Sequence, residues 1–243
     1  MSKLTSVPLC LYLIRHWETN WSLSGQLTGR TDIPLTEHGE EEARALALQL
    51  RDIPFAHVLT SPRQRARQAC DLSGLGAKAE IEPDLAEWDY GDYEGRQSDD
   101  IHKQRPDWNI FRDGCPQGEM PEQVSTRADR LIVHLNTLRG NVALFSHGQF
   151  GGVLAARWIG LVLAGATHFP LGTASVSILC YDPRHKNVAV IALWNAASHE
   201  IRDQLPHTST SDPLTMKQRA IERWENEGGE LQNQHKSRFK EIE

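Results

Sequence analysis

Cysteine is scarce in this chain: there are four in 243 residues, Cys10, Cys70, Cys115 and Cys180, and none forms a C-x-x-C pair. That spacing suits neither a disulfide framework nor a zinc ribbon, and it points to a reducing, cytoplasmic compartment. Positive charge is also in deficit. Lys and Arg number 26 against 32 Asp and Glu, a net charge of -6, so no bulk positive field exists to hold a nucleic acid or an anionic membrane. Any anionic ligand must therefore be held by a few placed cations. Long apolar runs are missing as well. Residues 8 to 14 are too few for a signal-peptide core and run straight into Arg15 and His16. The uncharged stretch from Trp158 to Tyr181 is interrupted by His168, Pro170 and Gly172, which reads as a buried helix, loop and strand and not as a membrane span. Histidines at H-x-x-x-H spacing are absent too, so metal ligation is not expected. Internal repeats and low-complexity blocks are also absent.

What is present alternates short apolar runs with helical periods, the pattern of an α/β fold. The predicted architecture is a three-layer sandwich: a mostly parallel central sheet, helices on both faces and a small loop-rich cap. Residues 8 to 14 are apolar on both alternate faces, as a central parallel strand would be. Thr36 can cap a helix whose Ala43, Leu46, Ala47 and Leu50 share one face. A second strand is expected over 55–60. Ser61 and Pro62 then supply a cap and first turn, which puts Arg65 in the opening turns of a helix. An insertion over about 88–124 is rich in glycine and aromatic residues and reads as an ordered cap over a site. Beyond it come a helix over 124–138, a strand over 141–146, a buried helix over 152–163 and a hairpin made of 175–181 and 188–194. Residues 1–200 should form one domain, followed by a polar tail over 201–243 with helical character near 217–230.

Two histidines follow apolar strands immediately, His16 after the first and His147 after the third. The carboxyl ends of the strands are where open α/β sheets bind ligands. A histidine at a strand end is more often structural or merely exposed, but here Arg15 and Arg65 can join the two imidazoles. Guanidinium forks match phosphoryl oxygens and neutralise developing charge, so the four groups together describe a phosphate pocket.

Five ordered segments carry a family resemblance: Leu13-Ile14-Arg15-His16-Trp17-Glu18-Thr19, Leu27-Thr28-Gly29, Ser61-Pro62-Arg63-Gln64-Arg65-Ala66, Leu85-Ala86-Glu87-Trp88-Asp89-Tyr90-Gly91 and Ser146-His147-Gly148. Together, over about residues 9–195, they resemble the histidine phosphatase superfamily, also called phosphoglycerate mutase-like. The stretch from Gly91 to Gly95, the run from Trp108 to Cys115 and the pair Gly118-Glu119 are similar to its sedoheptulose-bisphosphatase-like branch. The resemblance implies that His16 is the nucleophile, forming a phosphohistidine, and that Arg15, Arg65 and His147 hold the phosphoryl oxygens. Glu87 would protonate the leaving alkoxide and later deprotonate the hydrolytic water, partly desolvated by Trp88 and Tyr90. Without the motif Glu87 is one acid among 32 carboxylates. Ser22, Thr28 and Gly29 either bring hydroxyl and backbone N–H groups to the phosphate or are simple loop chemistry. Arg112 either reaches a distal part of the substrate from the cap or is a surface arginine.

Departures from the family pattern are also legible. The family usually has Gly where Trp17 stands, so an indole follows the nucleophile, either filling space otherwise open to substrate or straining a backbone suited to Gly. The branch tends to have His at Gln149, Leu at Gly151, Arg at Gly152 and a small hydroxyl residue at Met120. Loss of that His and Arg removes cationic character from the pocket rim. The expectation is a metal-independent, cofactor-free phosphatase acting on a small sugar monophosphate, as a monomer or homodimer. Two other readings stay open: a phosphoglycerate-type mutase, and a phospho-ligand-binding module with weakened catalysis.

Overall fold

The computed structural model describes residues 8–185 and 187–197. Six strands, β1 (Cys10–Arg15), β2 (Phe55–Thr60), β3 (Ala79–Ile81), β4 (Asn141–Ser146), β5 (Ser175–Tyr181) and β6 (Ala189–Ala197), form one sheet in the order β3-β2-β4-β1-β5-β6. β1 pairs with β4, β4 with β2 and β2 with β3 in parallel, whereas β5 adds to β1 antiparallel and β6 to β5 antiparallel. The parallel part needs crossovers, and among the described residues seven α-helices supply them or cap the site: α1 (Asn20–Ser24), α2 (Glu37–Leu50), α3 (Gln64–Leu72), α4 (Ser98–Gln104), α5 (Ile110–Asp113), α6 (Pro121–Leu135) and α7 (Gly148–Trp158).

Strand alternation divides the buried side chains between two faces. Leu11 and Leu13 of β1, with Val142, Leu144 and Leu179, join one cluster with Val124, Ala128 and Leu131 of α6 and Phe150, Val153 and Leu154 of α7. Tyr12 and Ile14 point to the other face, where α2 and α3 contribute buried Ala43, Leu46, Ala66 and Ala69. The predicted three-layer sandwich is what forms, with the sheet between two helical layers.

Several boundaries move. β3 was not expected, being short and partly exposed. α3 starts at Gln64, with Arg63 at the N-cap, so Ser61 and Pro62 lie ahead of the helix and do not cap it. α7 opens at Gly148 directly after His147, four residues before the expected start, and the segment around Leu163 is a separate 3-10 turn, Leu163–His168. The cap is less loop-like than its glycines suggest. It carries α4 and α5, and Trp88, Tyr93 and Trp108 belong to the main core, with Tyr93 and Trp108 packed edge to face at 5.3 Å. α6 begins at Pro121, so the cap ends before it. The expected polar tail, 201–243, lies outside the described residues, as does the helix placed near 217–230. Among the described residues no helix is long and apolar enough to cross a membrane.

Candidate active site

The carboxyl ends of the parallel strands converge on one cavity of about 400 Å³, lined among others by Arg15, His16, Glu87, Tyr90, Gly148 and Gln149. β1 delivers Arg15 and His16, β4 delivers His147, β2 delivers Ser61, and the turn after β3 delivers Glu87. Strand order alone produces this meeting, because side chains leaving adjacent parallel strands emerge on the same edge.

His16 is buried, and its Nδ1 lies 2.7 Å from the Trp17 carbonyl oxygen. A carbonyl only accepts, so Nδ1 carries the proton and Nε2 is left with its lone pair. The Arg65 Nε donates to that Nε2 at 3.3 Å. Burial first, and then the Arg65 and Arg15 guanidiniums, hold the imidazole well below the usual histidine range, while the bond to Trp17 offsets this in part. The ring is thus kept neutral, with its unprotonated nitrogen accepting from a cation.

Arg65 is fully buried at the start of α3, and its fork is anchored by three backbone carbonyls: Thr28 at 2.8 Å, Gly29 at 3.1 Å and Thr31 at 3.1 Å. That loop is itself clamped by Glu94, whose carboxylate accepts from Gly29 N–H at 2.9 Å and Thr31 N–H at 3.0 Å. Arg15 donates from Nη1 to the Leu171 carbonyl, and its Nε has no partner in the protein. It lies across the start of α7, where a Cβ on Gly148 would stand 3.0 Å from the guanidinium carbon.

His147 is also fully buried, with its ring edge to face on His16 at 5.2 Å between centroids. Its Nε2 lies 2.6 Å from Ser61 Oγ, and its Nδ1 has no partner in the protein. Burial, Arg65 and His16 hold it well below the usual histidine range. The sequence reads Ser61 as a helix cap; the structure sets its hydroxyl against His147, and the same oxygen accepts from the N–H of Arg63, the N-cap residue of α3, at 3.3 Å.

Glu87 is 7% exposed, yet its carboxylate is satisfied: Oε1 accepts from Trp88 N–H at 2.9 Å and Phe150 N–H at 2.8 Å, and Oε2 from Gln149 N–H at 3.1 Å. Two of those donors are orphan N–H groups of the first turn of α7, a place that favours negative charge. The turn carrying Glu87 is held from behind by Arg127 of α6. Its guanidinium donates to the Asp84 and Ala86 carbonyls at 2.9 and 2.7 Å and makes a bidentate pair with Glu119 at 2.7 and 2.8 Å. Sequence reading singled out neither Arg127 nor the Glu94 clamp as a functional residue. Glu94 and Glu119 appeared there only inside motifs, and Arg127 gave no signal beyond its helical face.

The remaining expected residues divide. Tyr90 and Gln149 line the cavity, and burial together with Glu87 keeps the Tyr90 hydroxyl well above the usual tyrosine range, protonated as a donor. Thr28 and Ser22 line it as well, but the Ser22 hydroxyl is engaged with Thr19 in the cap of α1, accepting from Thr19 N–H at 2.9 Å and donating to the Thr19 carbonyl at 2.9 Å. Gly29 gives its N–H to Glu94 and its carbonyl to Arg65, so it braces the pocket and brings no N–H into it. Trp17 is fully buried and does not line the cavity; its part is the carbonyl that fixes His16. Its backbone is not among the left-handed ones, so the indole neither occupies the cavity nor strains a glycine conformation. Arg112 turns away to Asp113, at 2.9 and 2.8 Å, and to the Asp107 carbonyl, which is the surface-arginine alternative. Gly151 and Gly152 let α7 close on the cavity wall: a Cβ on Gly152 would lie 2.8 Å from the Phe169 carbonyl and one on Gly151 2.6 Å from Leu171. Among the described residues no group of three or more His, Cys, Asp or Glu side chains is placed to hold a metal ion.

Known proteins are similar to this chain in sequence and fold. The chain is 37% identical over 187 residues to an acid phosphatase of Mycobacterium tuberculosis, covering 75% of this chain and 92% of that one. It is 37% identical over 187 residues to sedoheptulose 1,7-bisphosphatase of Saccharomyces cerevisiae, covering 63% and 68%. The solved structure of an open reading frame product of Mycobacterium tuberculosis superposes with a TM-score of 0.71 at 35% identity, over 78% of this chain and 98% of that one. The family model of the histidine phosphatase superfamily, branch 1, matches residues 11–195, which span every group assembled in the cavity, and the chain belongs to that superfamily.

Proposed function

We propose that the protein is a phosphoric monoester hydrolase that works on a small sugar monophosphate in the cytoplasm, through a phosphohistidine on His16. The observation that carries this reading is the state of His16: Nδ1 tied to the Trp17 carbonyl at 2.7 Å, Nε2 unprotonated and 3.3 Å from Arg65 Nε. In the proposed first step the Glu87 carboxylate takes up the proton of the entering phosphate monoanion, the Nε2 lone pair attacks phosphorus in line, the P–O ester bond breaks, and Glu87 passes that proton to the leaving alkoxide. Arg15, Arg65 and His147 hold the equatorial oxygens as charge moves. In the second step the Glu87 carboxylate takes a proton from water, which attacks the phosphohistidine, and Nε2 leaves with its electron pair. The guanidiniums supply the cationic character, so the reading requires no metal.

The lining of the cavity supports one phosphate and a neutral body. Among the described lining residues Arg15 is the only lysine or arginine, while Gln26, Thr28, Gln149 and Thr167 offer hydroxyl and amide partners and Phe111 and Phe169 offer apolar faces to C–H groups.

The test is to mix the protein, with chelator, with sugar phosphates, matching bisphosphates and 3-phosphoglycerate, and to measure both released phosphate and isomerised product. The expected result is phosphate release, a kcat/KM at least about tenfold higher for monophosphates, and acid-labile, alkali-stable labelling that His16→Ala abolishes. Isomerised product without release would show the mutase instead. Binding of phosphate esters without turnover would show the binding module, and undiminished hydrolysis by His16→Ala would overturn the mechanism.

A further inference from the structure

β1 and β5 run antiparallel, and their register sets Cys10 directly opposite Cys180. A strand residue directs its N–H and C=O to the same edge, and the Cys10 N–H donates to the Gly140 carbonyl at 3.1 Å, on the β4 side. Cys10 therefore meets Cys180 as a non-hydrogen-bonded pair, the arrangement that brings Cα atoms to about 4.5 Å and side chains closest together. That separation falls within the roughly 4.4–6.8 Å that a disulfide spans.

Both thiols are free and only partly buried, whereas Cys70 and Cys115 are buried. The two sulfurs also interact: the Cys10 S–H donates toward the Cys180 sulfur, which pushes the Cys10 thiol up and the Cys180 thiol down. The catalytic machinery uses neither residue. Cys10 opens β1, and His16 follows its far end.

We infer that Cys10 and Cys180 form a modification site, a cross-strand dithiol that closes to an intramolecular disulfide by exchange with a low-molecular-weight disulfide. The Cys180 thiolate attacks one sulfur of the small disulfide, its S–S bond breaks, and one small thiolate leaves. Cys10, having given up its proton, then attacks the Cys180 sulfur of the mixed disulfide and expels the second small thiolate. Two electrons pass from the protein dithiol to the small disulfide, and the two protons end on the released thiols. Closure ties the nucleophile-bearing strand to its antiparallel neighbour across a long stretch of sequence, which constrains the unfolded chain strongly.

The full chain, fully reduced, is incubated with oxidised glutathione, unfolded, alkylated and digested without reduction. The expected result is a peptide pair linking residues 10 and 180, loss of two alkylatable thiols with Cys70 and Cys115 still alkylated, and a melting temperature raised by roughly 5–10 °C that dithiothreitol reverses. Cys10→Ser should stop at a stable glutathione adduct on Cys180, and Cys180→Ser should form no internal link. Separate glutathione adducts on both cysteines, a link between two chains, or four thiols still alkylated would each overturn the inference.

Discussion

Ser61 Oγ lies 2.6 Å from Nε2 of His147, joining the end of β2 to the end of β4 behind the proposed nucleophile. With the hydroxyl as donor, the His147 proton sits on Nδ1, the buried nitrogen with no partner in the protein and the one that the proposed mechanism turns to a phosphoryl oxygen. Ser61→Ala removes the group that selects this tautomer. The expected outcome is a roughly tenfold to hundredfold fall in kcat/KM with the melting temperature little changed, and recovery in Ser61→Thr. Steady-state kinetics on the three proteins check it.

Acid should unfold the protein through its two buried imidazoles. Burial and the arginines hold His16 and His147 well below the usual range in the folded state, while the unfolded chain binds protons near the ordinary value of about 6.5. The unfolded state therefore binds more protons as pH falls through about 6.5, and stability declines from there down to the folded-state values. The slope is at most about 2.7 kcal/mol per pH unit for two fully shifted sites. Urea unfolding across pH 5 to 8 should show this slope, and His147→Gln should reduce it by about half.

The same depression predicts activity that outlasts ordinary histidine titration. Because His16 stays neutral, kcat/KM should not fall at about pH 6.5 as the acid limb of an unperturbed imidazole would. A pH–rate profile with an acid limb near that value would count against a neutral Nε2 nucleophile.

Arg127 holds Glu87 from behind without touching the cavity. Its bidentate pair with Glu119 and its bonds to the Asp84 and Ala86 carbonyls fix the turn from which Glu87 projects. Arg127→Leu leaves Glu119 and two carbonyls short of donors, so a loss of about 2–4 kcal/mol in stability is expected. Among molecules still folded, kcat should fall more than KM rises. Denaturant unfolding and kinetics on one preparation separate the two effects.

Gly148 is needed for space and not for backbone freedom, since a Cβ there would press on the Arg15 guanidinium. Gly148→Ala should displace Arg15 and raise KM, and the Kd for inorganic phosphate, by roughly tenfold, as lost charge-assisted hydrogen bonds do. Isothermal titration with phosphate gives the direct readout.

Much of the fold was legible because its signals are local. β1 is apolar on both sides, so its central place followed from pattern, β4 followed as an apolar strand, and Thr36 with the apolar stripe of α2 announced that helix. The misread positions are those where the backbone serves something distant. Ser61-Pro62 has the form of a helix start, yet the hydroxyl serves His147, 86 residues away. Glycines over 88–124 suggested loops, but the aromatic residues between them bury into the core and order short helices there.

Arg15, His16, Arg65 and His147 could be picked out because residues at strand ends and first helical turns lie near one another once the fold class is known, whereas Glu87 was pointed to only by the family resemblance. Their electrostatics could not be. What leaves Nε2 of His16 unprotonated for the proposed attack is a carbonyl one residue on, what sits against that nitrogen is a guanidinium 49 residues on, and what holds Glu87 is the first turn of a helix 62 and 63 residues on. The same holds for Cys10 and Cys180, which the sequence separates and an antiparallel register sets face to face. The sequence by itself determined the chemistry available and the elements carrying it, since those depend on neighbours along the chain. Tertiary structure alone decided which nitrogen stays unprotonated, which arginine meets it and which thiols face each other, because hydrogen bonds and desolvation act over a few ångströms through space, whatever the distance in sequence.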